Sequence, residues 1–176
     1  MKIRYFDHAA TTAVREDVLK EMIPYFSVEY GNPSSIYTMG RKSRRAVEQA
    51  REKVANAINA NTKEIYFTSC GSESDNLAIK GICEKYKNRG KHIITTSLEH
   101  SSIYGPINYL IDKGYSVDFV KLDSNGQVDL ADLENLIRDD TILVSINAVN
   151  SEIGILQPLN EIIKIIKKHP KCFLHC

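Results

Sequence analysis

Three short polar stretches carry residue types that could do chemistry. Ser69-Cys-Gly-Ser-Glu-Ser74 packs small and hydroxyl-bearing residues between a β-branched and aromatic run, Ile65-Tyr-Phe67, and a segment of helical spacing. A strand–turn–helix junction of this kind aims free backbone N–H groups and the positive end of a helix dipole at one point, where a phosphate can sit. Gly71 gives that turn room, and Ser72 and Ser74 add hydroxyl donors. Glu99-His100 places an acid beside an imidazole, and Asn147-Ala-Val-Asn-Ser-Glu-Ile-Gly154 gathers amide, hydroxyl and carboxylate groups. Each stretch also has a plain reading, as a turn, a surface histidine or a polar loop. What raises them above it is where the chain's elements put them.

Those elements alternate. The residue patterns predict strands over 64–69, 92–97, 116–122, 141–147 and 171–175, with helices over 73–87, 102–113, 130–137 and 158–168 between them. Leu77, Ala78, Ile82 and Tyr86 form the expected stripe of the first of these helices. Pro158 suits a first helical position and Asp129 an N-cap. Strands separated by helices of this length give βαβ units and a mostly parallel sheet covered on both faces. The nearly all-apolar run Ile142–Ile146 is what a central parallel strand requires. In an open parallel sheet ligands collect beyond the carboxyl ends of the strands, and all three polar stretches fall there, joined by His175-Cys176. Ahead of the alternating region the chain reads as an arm over residues 1–14, then helices within 15–60: one over 15–26 and a longer one over 40–59. The βαβ core takes 61–176. Arg41, Lys42, Arg44 and Arg45 read as a solvated face. His92 and His169 read as structural or solvated.

Composition bounds the rest. The 176 residues are 43% hydrophobic and 26% charged, ordinary for a globular domain. A net charge of +1 argues against a nucleic-acid or membrane-surface partner held by bulk electrostatics. No apolar run approaches the ~20 residues that span a bilayer, and no signal-like core opens the chain. Four cysteines without scaffold-like spacing suit reduced thiols, so a cytoplasmic location is expected.

Taken together, Asp7-His-Ala-Ala-Thr-Thr12, Gly31-Asn-Pro-Ser34, Phe67-Thr-Ser-Cys-Gly-Ser-Glu-Ser-Asp-Asn-Leu-Ala-Ile79, Glu99-His100 and Val149-Asn-Ser-Glu-Ile-Gly154 resemble the cysteine desulfurases, pyridoxal-phosphate enzymes of the class V aminotransferase group. The motifs occur in family order over nearly the whole chain. The resemblance implies an α/β fold: an incomplete aminotransferase-like large domain with a mostly parallel sheet, helices on its flanks, and the arm and helices before it. It implies that Gly71 and Ser72 bind the cofactor phosphate, with Ser72 where the family usually has Thr. It implies that His100 stacks on the pyridine ring. The family reaction takes L-cysteine to alanine and an enzyme persulfide, supplying sulfur for iron–sulfur clusters or thio-cofactors.

The sequence departs from the family at Ser151, which stands where a second Asn normally reaches the ring hydroxyl. Asn150 is the neighbouring candidate for that contact. The chain ends one residue short of the family's Asp for the pyridine nitrogen, and the Schiff-base lysine and persulfide cysteine lie further downstream in the family. Lys80, Lys87 and Lys91 match none of the family's lysines. The expectation is therefore an N-terminal segment inactive on its own, with no catalytic residue of its own and with weak or no cofactor binding. The predicted strand 64–69 would lack its family neighbours and expose unpaired backbone groups, so a second copy, a complementary chain or a rearranged sheet is expected. A sulfur-acceptor scaffold protein is a further partner the resemblance implies. The alternatives are a non-catalytic dimerising or partner-binding piece, and a selenocysteine lyase or other class V enzyme.

Overall fold

The computed structural model describes residues 4–176 and divides into two compact units, Met1–Phe67 and Thr68–Cys176. The first three residues of the expected arm lie outside the described residues.

In the first unit, residues 4–14 carry neither helix nor strand. A turn forms at Asp7, whose carbonyl and carboxylate both accept from the Ala10 N–H. The helix expected over 15–26 is broken into α1 (Glu16–Met22) and α2 (Pro24–Ser27). The cause is Pro24, which has no N–H to donate to the preceding turn and starts a new helix instead. No residue of α1 or α2 is buried. α3 (Thr38–Ala57) is the long helix, and its four basic residues at 41, 42, 44 and 45 are exposed. Its buried positions are Gly40, Ser43 and Ala55 rather than the larger apolar residues. Gly40 is required: a Cβ there would lie 2.4 Å from the Ser35 carbonyl oxygen.

The strand expected over 64–69 does not form. Thr62–Glu64 is a 3-10 turn, closed by Asn61 and Glu64 capping one another, and residues 65–69 pair with no strand. The Arg51 guanidinium takes the Ile65 carbonyl and lies 5.0 Å over the Phe67 ring. An unpaired apolar run has no ladder to join, and its end groups are met locally: the Ile65 N–H by the Thr62 carbonyl and the Ser69 N–H by the Glu73 carboxylate.

The second unit holds the sheet. Four parallel strands run in the order β2-β1-β3-β4: β1 (His92–Thr95), β2 (Ser116–Phe119), β3 (Thr141–Ser145) and β4 (Phe173–His175). Ile94 pairs with Val144, and Val144 with Leu174. The central strands β1 and β3 are buried along their whole length, whereas the edge strands β2 and β4 are partly open. Alternation sends Ile93 and Leu143 to one face and Ile94 and Val144 to the other. The first face packs on Ile79 and Cys83 of α4 (Gly71–Tyr86) and on Ile103, Ile107 and Leu110 of α5 (Ser101–Ile111). The second packs on Leu133 of α6 (Leu130–Leu136) and Ile162, Ile165 and Ile166 of α7 (Leu159–Ile166).

Local details depart from expectation. The buried stripe of α4 is Ile79–Cys83, so Leu77 is left 57% exposed. Pro158 caps α7 from outside it, while Asp129 caps α6 as expected, accepting from the Ala131 and Asp132 N–H groups. Pro106 sits buried inside α5, where its missing N–H leaves the Ser102 carbonyl without its helical donor.

Candidate functional site

Beyond the carboxyl ends of β1, β3 and β4 lies a cavity of about 460 Å3, lined from the β1–α5 loop, the β3–α7 loop, β4 and α4. Its walls include Glu99, His100, Asn147, Asn150, Ser151, His175 and Asp75.

Two hydrogen-bonded groups build it. Glu99, 9% exposed, accepts through one oxygen from the Thr96 hydroxyl (2.9 Å) and the Asn147 N–H (3.0 Å). The Leu98 carbonyl accepts from the side-chain amides of Asn147 (3.0 Å) and Asn150 (2.7 Å). These bonds fasten the loop after β1 to the loop after β3. Burial pushes the Glu99 carboxyl above its ordinary range, against the lowering effect of its two donors. The second group runs through Asp75, one turn into α4. Its carboxylate accepts the Ser102 hydroxyl at 2.6 Å and lies 3.5 Å from Nε2 of His175. Ser102 in turn lies 2.8 Å from Nδ1 of His100, the N-cap of α5. Nδ1 of His175 meets the Ser145 hydroxyl at 2.9 Å, and burial holds this imidazole below its ordinary value.

The sequence-predicted residues are therefore partly assembled. His100, Asn150 and Ser151 line the cavity. Gly71 and Ser72 do not; they open α4, one helical turn before Asp75, roughly 6 Å along the axis. No side chain caps that N-terminus, and a Cβ at Gly71 would meet nothing within 4 Å. The exposed Cys70 thiol reports the field there: the Glu73 N–H above all, then the Ser69 hydroxyl, hold it below the usual thiol range. The Asn150 carbonyl oxygen accepts from the Glu152 and Ile153 N–H groups, and its amide donates to the Leu98 carbonyl. It staples the two loops and keeps its second amide hydrogen beside Ser151.

The sequence pattern puts Asn147 and His175 at this edge without giving either a role, and it does not single out Asp75. Asp75 had a signal, its place four residues after Gly71 on the same helix face. The roles of His175 and Asn147 follow only from their partners, Asp75 and Ser145 for the first and Glu99 and Leu98 for the second. Among the described residues no lysine lines the cavity. Cys176 does, but burial and then Glu99 push its thiol up. Cys83 and Cys172 are buried, with thiols pushed up to about 12 and about 11, so they stay protonated.

The cavity thus presents an imidazole and polar loop atoms on its wall, and the uncapped N-terminus of α4 opens one helical turn before Asp75. Residues 4–176 match the family Aminotransferase class-V, and the chain belongs to that family. It is 48% identical over 168 residues to the cysteine desulfurase IscS of Methanosarcina thermophila, covering 96% of this chain and 42% of that protein. A solved NifS-like protein is 43% identical with a TM-score of 0.94, covering 97% of this chain and 47% of its own. A solved structure of SspA in complex with cysteine is 36% identical with a TM-score of 0.92, covering 98% and 50%. The chain thus spans less than half the length of the curated relative and about half that of the solved ones.

Proposed function

We propose that this chain supplies the phosphate-binding turn and ring-facing wall of a pyridoxal-phosphate-dependent cysteine desulfurase. The observation that carries the reading is the Asp75–Ser102–His100 bridge, which ties the open end of α4 to an imidazole on the cavity wall. The N–H groups of Gly71 and Ser72, with the Ser72 hydroxyl, would hold the phosphate; such donors at a helix N-terminus favour an anion. His100 would lie against the pyridine ring, and Ser151 would face its hydroxyl. When bound, the cofactor supplies the electron sink for amino-acid chemistry. The protein residues hold it, shield one side, and fix the loops through Glu99 and Asn150.

The substrate we propose is L-cysteine, whose sulfur passes to an enzyme thiol: thiol plus cysteine gives persulfide plus alanine. No described lysine or low-lying thiol stands in the cavity, so we assign no covalent step to the residues in hand. A cytoplasmic setting accords with the four free cysteines; no helix among the described residues is long and apolar enough to cross a membrane. A second copy or a complementary chain is the proposed cover for the exposed apolar residues of α1 and the open edge of β4, and a sulfur-acceptor protein the proposed downstream partner.

The test has two arms. Pyridoxal phosphate titrated into the chain should give a saturable change in ring absorbance. The Methanosarcina relative with its matching segment replaced by this one should release alanine from L-cysteine. A chimera that folds and holds the cofactor yet makes no alanine would overturn the desulfurase reading.

A further inference from the structure

The bonding around Ser102 cannot be satisfied in more than one sense at once. Its hydroxyl lies 2.6 Å from an Asp75 carboxylate oxygen and 2.8 Å from Nδ1 of His100, while its backbone N–H lies 3.2 Å from the same Nδ1. A hydroxyl has one proton. If that proton goes to Asp75, either Nδ1 carries hydrogen and donates to the oxygen, giving up the 3.2 Å cap bond, or Nδ1 keeps that bond and sets its lone pair against the oxygen's at 2.8 Å. If it goes to Nδ1, a bare carboxylate faces a lone pair at 2.6 Å. The charge-assisted O–H···O− bond is about twice as strong as a neutral one, and the 3.2 Å cap bond is the longest of the three. The carboxylate wins the proton.

We infer that Asp75 is a positioning residue: through Ser102 it fixes the neutral ring of His100 in the Nδ1–H form, leaving Nε2 as the lone pair. The ring is then pinned along a chain that crosses from α4 to α5, so the helix that opens with the phosphate turn also sets the orientation of the wall imidazole. Asp75 is suited to this because its other oxygen is 3.5 Å from His175, which holds the carboxylate between two elements. The functional weight of the inference rests on the reading of His100 as the ring that faces the cofactor; the tautomer itself does not.

The experiment reads the tautomer directly, without cofactor. The chain is labelled with 15N-histidine, and long-range 1H–15N spectra are recorded at about pH 8.5, where ordinary imidazoles are neutral. His100→Gln identifies the signal. The expected result is protonated Nδ1 in the parent chain and protonated Nε2 in both Asp75→Ala and Ser102→Ala, where Nδ1 is left with only the backbone donor. Ser102→Thr, which keeps the hydroxyl, should retain the parent pattern. Ser102→Ala carries the test if Asp75→Ala fails to fold. A parent ring protonated on Nε2, or a tautomer unmoved in Ser102→Ala, would overturn the inference and leave the cofactor reading standing. Failure of the parent to bind pyridoxal phosphate would do the reverse.

Discussion

Replacing Glu99 separates what its shape does from what its charge costs. One oxygen serves two donors, the Thr96 hydroxyl at 2.9 Å and the Asn147 N–H at 3.0 Å. Glu99→Ala removes the acceptor of both donors. The partly buried Asn147 N–H then loses about 1–3 kcal/mol and the Thr96 hydroxyl, free to turn elsewhere, about 0.5–1.5 kcal/mol. A total of roughly 1.5–4.5 kcal/mol is a large share of the ~5–15 kcal/mol of a whole domain. Glu99→Gln keeps the acceptor oxygen and drops the charge that burial disfavours, so at neutral pH it should fall within about 1 kcal/mol of the parent. The pH dependence has a definite sign. Burial raises the folded carboxyl above its ordinary 4.5, so the folded chain binds the proton more tightly than the unfolded one. Parent stability from this group is greatest below 4.5 and is lost as the pH rises through the raised value. The Gln variant lacks that loss, so its stability relative to the parent must improve as the pH rises. Urea denaturation followed by circular dichroism from pH 4 to 8 measures all three. Glu99→Ala within 0.5 kcal/mol of the parent, or a Gln variant as unstable as the Ala variant, would refute the reasoning.

Further outcomes are expected elsewhere. Burial, with Arg138 adding, holds the His92 imidazole below 6.5 against the pull of Asp118, and burial does the same for His175 against Asp75. Both therefore stabilise the fold above about pH 6.5, and that contribution is lost as the pH falls toward their depressed values; His92→Gln should flatten this part of the stability profile. Gly90→Ala would place a Cβ 2.1 Å from the Asp140 carbonyl oxygen, which accepts from the His92 N–H that opens β1, and should cost about 1–3 kcal/mol in the same denaturation assay. On the proposed reading, His100→Ala would remove an aromatic contact worth about 0.5–1.5 kcal/mol, so pyridoxal phosphate should bind roughly two- to tenfold more weakly by absorbance titration, with the fold intact by circular dichroism.

Much of the second unit was legible because its signals are local. The apolar run Ile142–Ile146 and the alternation of strand and helix spacing fix a parallel sheet, and with it the edge where polar loops meet. The first unit was less legible. Ile65-Tyr-Phe67 has strand chemistry, but a strand exists only with a neighbour, and Arg51 takes the Ile65 carbonyl instead. Pro24 broke a helix whose apolar periodicity ran through it. In the site, Glu99 and His100 could be singled out as a pair. The bonds that give them meaning join residues 27 to 52 positions apart, such as Ser102 to Asp75 and Asn150 to Leu98, and no periodicity encodes those. Asn150 shows the converse: a plausible ligand by type, it also makes two bonds that shape its own loop and one that ties it to Leu98.

The most direct test of the shared pocket is a titration of the 15N-labelled chain with pyridoxal phosphate, followed amide by amide. Saturable shifts should concentrate at Gly71 and Ser72 and at His100–Ser102, and inorganic phosphate alone should move only the first pair. Shifts centred instead on the groove of Lys80, Lys87, Lys91 and Lys113, or none that saturate, would contradict the account.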